Sequence, residues 1–258
     1  GLAEGSISAL NFANKLMFLP FNLFVVAVNT AVFPSLSALA ARENHKELGH
    51  TMVFGLNLIG IFTIPAAVGL FVLSRPIVRL LFERGAFDAN STHMTAFALQ
   101  FFVFGLFAQG AYNVINRTYY ALQDTKTPVK ISIIVVVLNL IFSLILIRHL
   151  QHGGLALANS LAALINMTLA YWLLRRRLPD LPERRLFINL GKILAASLAM
   201  GLGVHLLNGL LAAGMDFASL KSQIWHLGLC MTSGLAVYLA LIMLLRVEEV
   251  QYVFDRIR

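Results

Sequence analysis

Residues 6–36 read SISALNFANKLMFLPFNLFVVAVNTAVFPSL. The stretch contains no acidic residue. At about 1.5 Å per residue it is long enough to cross the roughly 30 Å of bilayer hydrocarbon as a helix. Lys15 nevertheless sits inside it. At 100° per residue, Asn11, Lys15, Asn22 and Asn29 fall within about 40° of one another, with Ser8 close by. Charge facing lipid is costly, so such a stripe is expected to face a wet cavity or the bundle interior. A second reading stands beside this one. A helix from Ser6 to Leu39 is about 50 Å long, so Lys15 can also snorkel to the outer interface. Snorkelling does not account for the asparagines, which favours the cavity. Pro20, inside the stretch, is a site where a kink would shift the stripe.

The rest of the chain has the same character. Of 258 residues, 59% are hydrophobic and 12% charged, against about 25% charged in a soluble domain. Apolar runs of spanning length recur at about 7–39, 50–73, 93–116, 128–148, 154–174, 186–211 and 222–245. None alternates as a strand would. The expected fold is therefore all-α, a polytopic transmembrane bundle of about seven spans. Cys230 is the single cysteine, which excludes an intrachain disulfide and a cysteine metal site.

The net charge of +8 reports orientation here and not nucleic-acid binding. One set of connections carries Arg42, Lys46, Arg117, Lys126, Lys130, Arg175, Arg176, Arg177, Arg184, Arg185, Arg246, Arg256 and Arg258. The opposite set carries Arg75, Arg79, Arg84, Arg148 and Lys221. The positive-inside rule puts the richer set in the cytoplasm, together with the C-terminus. The chain opens Gly-Leu-Ala-Glu with no signal-peptide pattern, as expected of a piece of a longer protein. Between the second and third spans, SRPIVRLLFERGAFDANST reads as a short amphipathic helix in the outer interface near 75–85. Pro76 lies in its first turn, Gly85 stops it, and Asp88 or Ser91 caps the next helix. In QDTKTPVK, Thr127 is the expected N-cap and Pro128 the first helical residue.

Further polar positions recur. Gln109, Asn113, Asn116 and Tyr120 share a face of the third span, with Arg117 beside them. They serve either as a cavity wall or as interhelical glue. Asn139 and Ser143 share a face of the fourth span, and Asn159 and Asn166 one of the fifth. Their oxygens suit a hard cation or helix–helix hydrogen bonds. His205 and His226 read as structural or interfacial. The acidic residues all fall in connections or tails. That pattern leaves no carboxylate proton relay in the spans and no acidic pair to hold Mg²⁺ on a diphosphate. An anionic substrate group fits Lys15 better than a cationic one.

Four stretches, ISALNFANKLMFLP, AVFPSLSALAA, SRPIVRLLFERGAFDANST and YYALQDTKTPVKI, in this order and spacing, resemble the C-terminal half of the lipid II flippase (MurJ, MviN) family. That family lies within the multidrug/oligosaccharidyl-lipid/polysaccharide flippase superfamily. The resemblance runs from about residue 5 to 178; the last two spans match mainly by position and hydropathy. It implies fourteen transmembrane helices in two lobes, of which these spans are helices eight to fourteen. Residues 1–178 then form the C-terminal lobe. Residues 179–258 add two spans, which bind the lipid tail, and a short cytoplasmic tail. The implied activity is alternating-access transfer of undecaprenyl-linked peptidoglycan precursor across the bacterial inner membrane, without covalent chemistry or a bound cofactor. The implied partners are lipid II, membrane lipids and the missing N-terminal lobe.

By the same resemblance, Lys15 stands where the family typically has an arginine, in a cationic cavity for the pyrophosphate head group. Asn11, Asn22, Asn29, Asn113 and Arg117 are the expected companions. Some members have a sodium site that Asn139, Ser143 and Asn159 match in part, with Ser143 in place of a carboxylate. Coupling to sodium or to the membrane potential is the corresponding expectation. The competing readings are a polysaccharide-lipid flippase or drug exporter of the same superfamily, a membrane enzyme acting on polyprenyl phosphates, and a non-transporting scaffold.

Overall fold

Among the described residues six helices are long and apolar enough to cross a membrane, and the fourth, at 50 residues, is long enough to do so twice. The computed structural model describes residues 4–178, 180–214, 219–247 and 249. Asp216 and the tail with Arg256 and Arg258 lie outside these residues. In chain order the elements are α1 (Ser6–Pro20), a π turn (Phe21–Val25), α2 (Val26–Ala41), α3 (His45–Val72), α4 (Ser74–Phe82) and α5 (Ala89–Phe102). A 3₁₀ turn (Val103–Gly105), α6 (Leu106–Ala121), α7 (Lys126–Arg175), α8 (Glu183–Gly214) and α9 (Leu220–Leu244) follow. Among the described residues there is no strand.

The seven expected spans are all present, because α7 is two of them. Its helical path breaks at Gln151, with φ 50° and ψ −129°. The two arms, 126–150 and 152–175, run antiparallel: Arg177 just past the second arm reaches Thr127 at the start of the first (3.3 Å). The turn is tight enough that a Cβ on Gly154 would collide with the Leu146 carbonyl. Glycine there is a packing requirement.

Local sequence explains where the helices begin and end. Asn44 accepts from the Glu47 amide (3.2 Å) to cap α3, and Asp88 accepts from the Ser91 amide (2.8 Å) to cap α5. At α7 the expected N-cap Thr127 is already inside the helix. Asp124 does the work instead, accepting from the Lys126 and Thr127 amides (both 3.0 Å). Pro128 is therefore the third helical residue, not the first. A short aspartate side chain two or three residues upstream reaches both free amides, which one hydroxyl cannot. Three helices end in paired 6→1 and 5→2 bonds around a left-handed residue that is not glycine: Glu43, Gln123 and Arg246.

Three apolar clusters hold the bundle. The first joins α2, α3, α6 and α7 through Val28, Val32, Met52, Leu56, Ile115 and Tyr119. The second joins α1, α4 and α5 through Met17, Val78 and Leu99. The third joins α3, α8 and α9 through Ile61, Ile193, Met200, Val204, Leu227 and Ile242. Helix α4 is the expected amphipathic helix, but its fully buried residue is Val78; Leu81 is exposed. Small residues let the helices close up. A Cβ on Gly105 would lie 2.9 Å from Ser160 Cα, and one on Gly60 2.7 Å from Leu190. The outward faces of α7, α8 and α9 are rows of exposed apolar side chains such as Val136, Leu140, Leu144, Leu198, Leu202 and Leu206.

Candidate functional site

The stripe on the first helix is continuous only as far as Asn22. Asn11, Lys15 and Asn22 are exposed, whereas Asn29 is 3% exposed and sits in the core. The cause is the π turn. Pro20 has no amide hydrogen to give, and the i→i+5 turn begins directly after it. Such a turn takes in one more residue than the α turn it replaces. Everything beyond it slips by one position, roughly 100°. An uninterrupted α-helix would turn Phe24, Ala27, Ala31 and Ser35 inward. The slipped register buries Val25, Val28, Val32 and Leu36 instead. At about 1.5–3 kcal/mol per buried aliphatic side chain, the second set is the more stable core by several kcal/mol. Asn29 goes inward with them, and its Oδ1 has no hydrogen-bond partner among the described residues. Val26 and Thr30 are exposed in its stead.

Lys15 is exposed, with its ammonium 5.6 Å from the Phe12 ring centre. Arg117, on α6, holds its guanidinium 5.2 Å from the ring centre of Phe33 on α2. Among the described residues neither cation is paired with a carboxylate. Asn113 is half-buried and donates to the Gln109 carbonyl (3.0 Å). Gln109 Nε2 donates to Asn159 Oδ1 across the α6–α7 interface (3.3 Å). Tyr112 and Ser132 meet at 3.4 Å, and the Tyr119 hydroxyl donates to the Ala170 carbonyl (2.9 Å). The α6 stripe thus divides: Gln109 ties helices together, while Arg117 stays free of any acid.

Asn139 and Ser143 lie on the first arm of α7 and Asn159 on the second. Among the described residues no hydrogen bond joins the three. Asn159 is engaged by Gln109, and Asn139 Oδ1 is buried with no partner among the described residues. The three side chains are neutral, and the Asn159 oxygen is already taken by Gln109. No group of three or more His, Cys, Asp or Glu side chains with metal-site geometry exists among the described residues.

Two further charged residues tie α8 to the end of α9, one of them partly exposed and the other buried. Lys192 of α8 donates to the Arg246 carbonyl (3.3 Å). Glu249, assigned to a tail, is 1% exposed. It accepts from Asn57 of α3 (2.7 Å) and Asn189 of α8 (2.9 Å). The only advance signal was a pair of asparagines, each isolated in an apolar helix.

The family described as Lipid II flippase MurJ matches residues 1–223. A probable lipid II flippase MurJ of Vibrio cholerae is 35% identical over 170 residues, 66% of this chain and 32% of the relative. One from Rhizobium tropici is 33% identical over 240 residues, 91% of this chain and 44% of the relative. A solved structure, Lipid II flippase MurJ in an inward closed conformation, superposes with a TM-score of 0.78 at 30% identity. It covers 99% of this chain and 49% of that one. The chain spans about a third to a half of the length of these relatives.

Proposed function

This chain belongs to the lipid II flippase MurJ family, and from that membership we propose that it supplies the C-terminal lobe of a flippase for undecaprenyl-linked peptidoglycan precursor. It is a multi-pass membrane protein. We place it in the bacterial inner membrane with its C-terminus in the cytoplasm, on the distribution of Lys and Arg between connections. The lobe works against an N-terminal partner lobe by alternating access, moving its substrate without covalent chemistry.

The observation that carries this reading is the exposed face of α1. Ser8, Asn11, Lys15 and Asn22 are exposed on one stretch of helix together with the apolar Ile7 and Leu19, and among the described residues Lys15 has no acid to neutralise it. A cation on a membrane-depth surface needs an anion or water. A pyrophosphate head group crossing between the lobes supplies the anion. Arg117 and Asn113 continue the polar path toward the opposite membrane face. Asn29 takes no direct part while the π turn holds it inward. The driving bias comes from the membrane potential acting on charge in the cavity.

Binding of lipid II to the full-length protein in nanodiscs tests the assignment. A lysine–phosphate contact contributes about 1.5–3 kcal/mol. Lys15→Ala is therefore expected to weaken binding roughly tenfold or more. Lys15→Arg should keep it, since guanidinium forks onto phosphate. If Lys15→Ala and Lys15→Gln both bind and transport normally, Lys15 is a snorkelling residue and the proposed path is wrong.

A further inference from the structure

The end of α9 does not trail away from the bundle. Arg246 takes φ 49°, its amide bonds to the Met243 carbonyl (3.1 Å), and the Val247 amide bonds to that of Ile242 (3.4 Å). This closes the helix and turns the chain back. Lys192 holds the Arg246 carbonyl from α8. Val247 is then completely buried, and Glu249 arrives between α3 and α8 with its carboxylate almost wholly out of solvent. Both carboxylate oxygens are engaged. Oε1 accepts from Asn57 Nδ2 (2.7 Å) and, more loosely, from Arg185 Nη2 (3.4 Å); Oε2 accepts from Asn189 Nδ2 (2.9 Å).

A carboxylate is a costly group to bury, and it persists only when several donors converge on it. Here the donors come from two helices, and the acceptor comes from beyond a third. Neither asparagine serves α3 or α8 alone: Asn57 and Asn189 are buried in otherwise apolar helix faces and meet only through Glu249. Higher in the same interface, the Tyr238 hydroxyl of α9 donates to the Ile61 carbonyl of α3 (2.7 Å). Gly60, Gly201 and Gly234 bring the three backbones close.

We propose that Glu249 is a latch that fastens α8 and α9 to α3, so that the last two spans travel with the lobe as one rigid body through the transport cycle. This rests on the flippase reading for what the motion accomplishes, but the latch itself is a statement about three helices. Asn57 and Asn189 are the positioning residues that hold it. If a lipid tail lies along α8 and α9, the latch keeps the tail in register with a head group bound on α1. Without it, binding and displacement come apart.

The latch is tested in the full-length protein with nitroxides at Lys46→Cys on α3 and Leu239→Cys on α9, in a background lacking other cysteines. Both positions are exposed and neither takes part in the cluster. Electron spin resonance should give one narrow distance distribution that is the same with and without lipid II. Asn57→Asp sets two carboxylates against each other and should broaden it. Adding Glu249→Gln to Asn57→Asp restores a carboxylate–amide pair and should narrow it again. Glu249→Gln alone keeps most donors and should be intermediate, which covers the case in which Asn57→Asp fails to fold. Transport should follow the distance distribution, whereas lipid II binding should stay within about twofold of wild type. The proposal is overturned if the wild-type distance shifts with lipid II. It is also overturned if Asn57→Asp and Glu249→Gln, each well folded, leave the distribution narrow. Loss of lipid II binding on Lys15→Ala alone leaves the latch untouched, so the two proposals fail separately.

Discussion

Arg177 closes onto Asp124 at 2.7 Å, joining the far ends of the α7 hairpin. The guanidinium also reaches Thr127 Oγ1 (3.3 Å) and lies 6.0 Å from the Tyr119 ring centre. Asp124 therefore serves three neighbours at once: the α7 amides, the second arm and, through Arg177, the end of α6.

That arrangement predicts a pH dependence. Burial pushes the Asp124 carboxyl up, but hydrogen bonds from Thr127 and Lys126 and the Arg177 guanidinium more than offset it, and it sits below the ordinary carboxylate range. The unfolded-state value is higher. The carboxylate therefore stabilises the fold above about pH 3.9, and that contribution is lost as pH falls through the lower folded value. Asp124→Asn should cost about 1 kcal/mol or less at pH 7, given that Arg177 is half-exposed. The wild-type advantage should shrink as the pH falls below the ordinary carboxylate range. Thermal melts of both proteins across that range provide the check.

The π turn predicts an asymmetry between two deletions. Removing Leu23 takes out the extra residue, so the pieces on either side keep their present faces, and the protein should melt within a few degrees of wild type. Removing Ala31 rotates the rest of α2 and carries Val32 and Leu36 out of the core, at about 1.5–3 kcal/mol each. That variant should accumulate poorly. Equal tolerance of the two deletions would mean that the register of α2 is not set by the turn.

Close packing predicts a contrast between glycines. At Gly105 an added Cβ meets the Ser160 backbone, in the turn where Ser160 Oγ also donates to the Phe101 and Phe102 carbonyls (2.7 and 3.0 Å). Gly105→Ala should destabilise by about 1–3 kcal/mol. At Gly69 an added Cβ meets nothing within 4 Å, and Gly69→Ala should be neutral or slightly stabilising. Denaturation of the two purified variants side by side distinguishes them.

Orientation has its own test. Ala86→Cys, in the connection after α4, should react with an impermeant maleimide added outside whole cells or spheroplasts. Arg184→Cys, in the first turn of α8, should react only after permeabilisation. The reverse pattern would invert the topology.

Much of the architecture was legible in the sequence because it depends on runs of apolar residues and on helix ends. The spans appear with boundaries shifted by a few residues, and Asp88 caps α5 as its position indicates. What was not legible depends on contacts between distant residues. Asn29 leaves the stripe because the core prefers Val25, Val28, Val32 and Leu36, a comparison that needs the neighbours on α3 and α6. Glu249 sits in a hydrophilic tail by sequence, and its partner Asn57 lies 192 residues away. That Asn11 and Lys15 are exposed together needed only the phase of the helix upstream of Pro20.

The break at Gln151 bears on how the chain enters a bilayer. The two arms of α7 are joined by a turn so short that Gly154 touches Leu146, and the polar cargo at its tip is little more than Arg148, His149, Gln151 and His152. Two apolar segments with so little to drag between them can partition into lipid as a preformed pair, with both ends remaining on one side. Lengthening that turn with charged residues would turn one insertion event into two, the second carrying a hydrophilic load through the hydrocarbon.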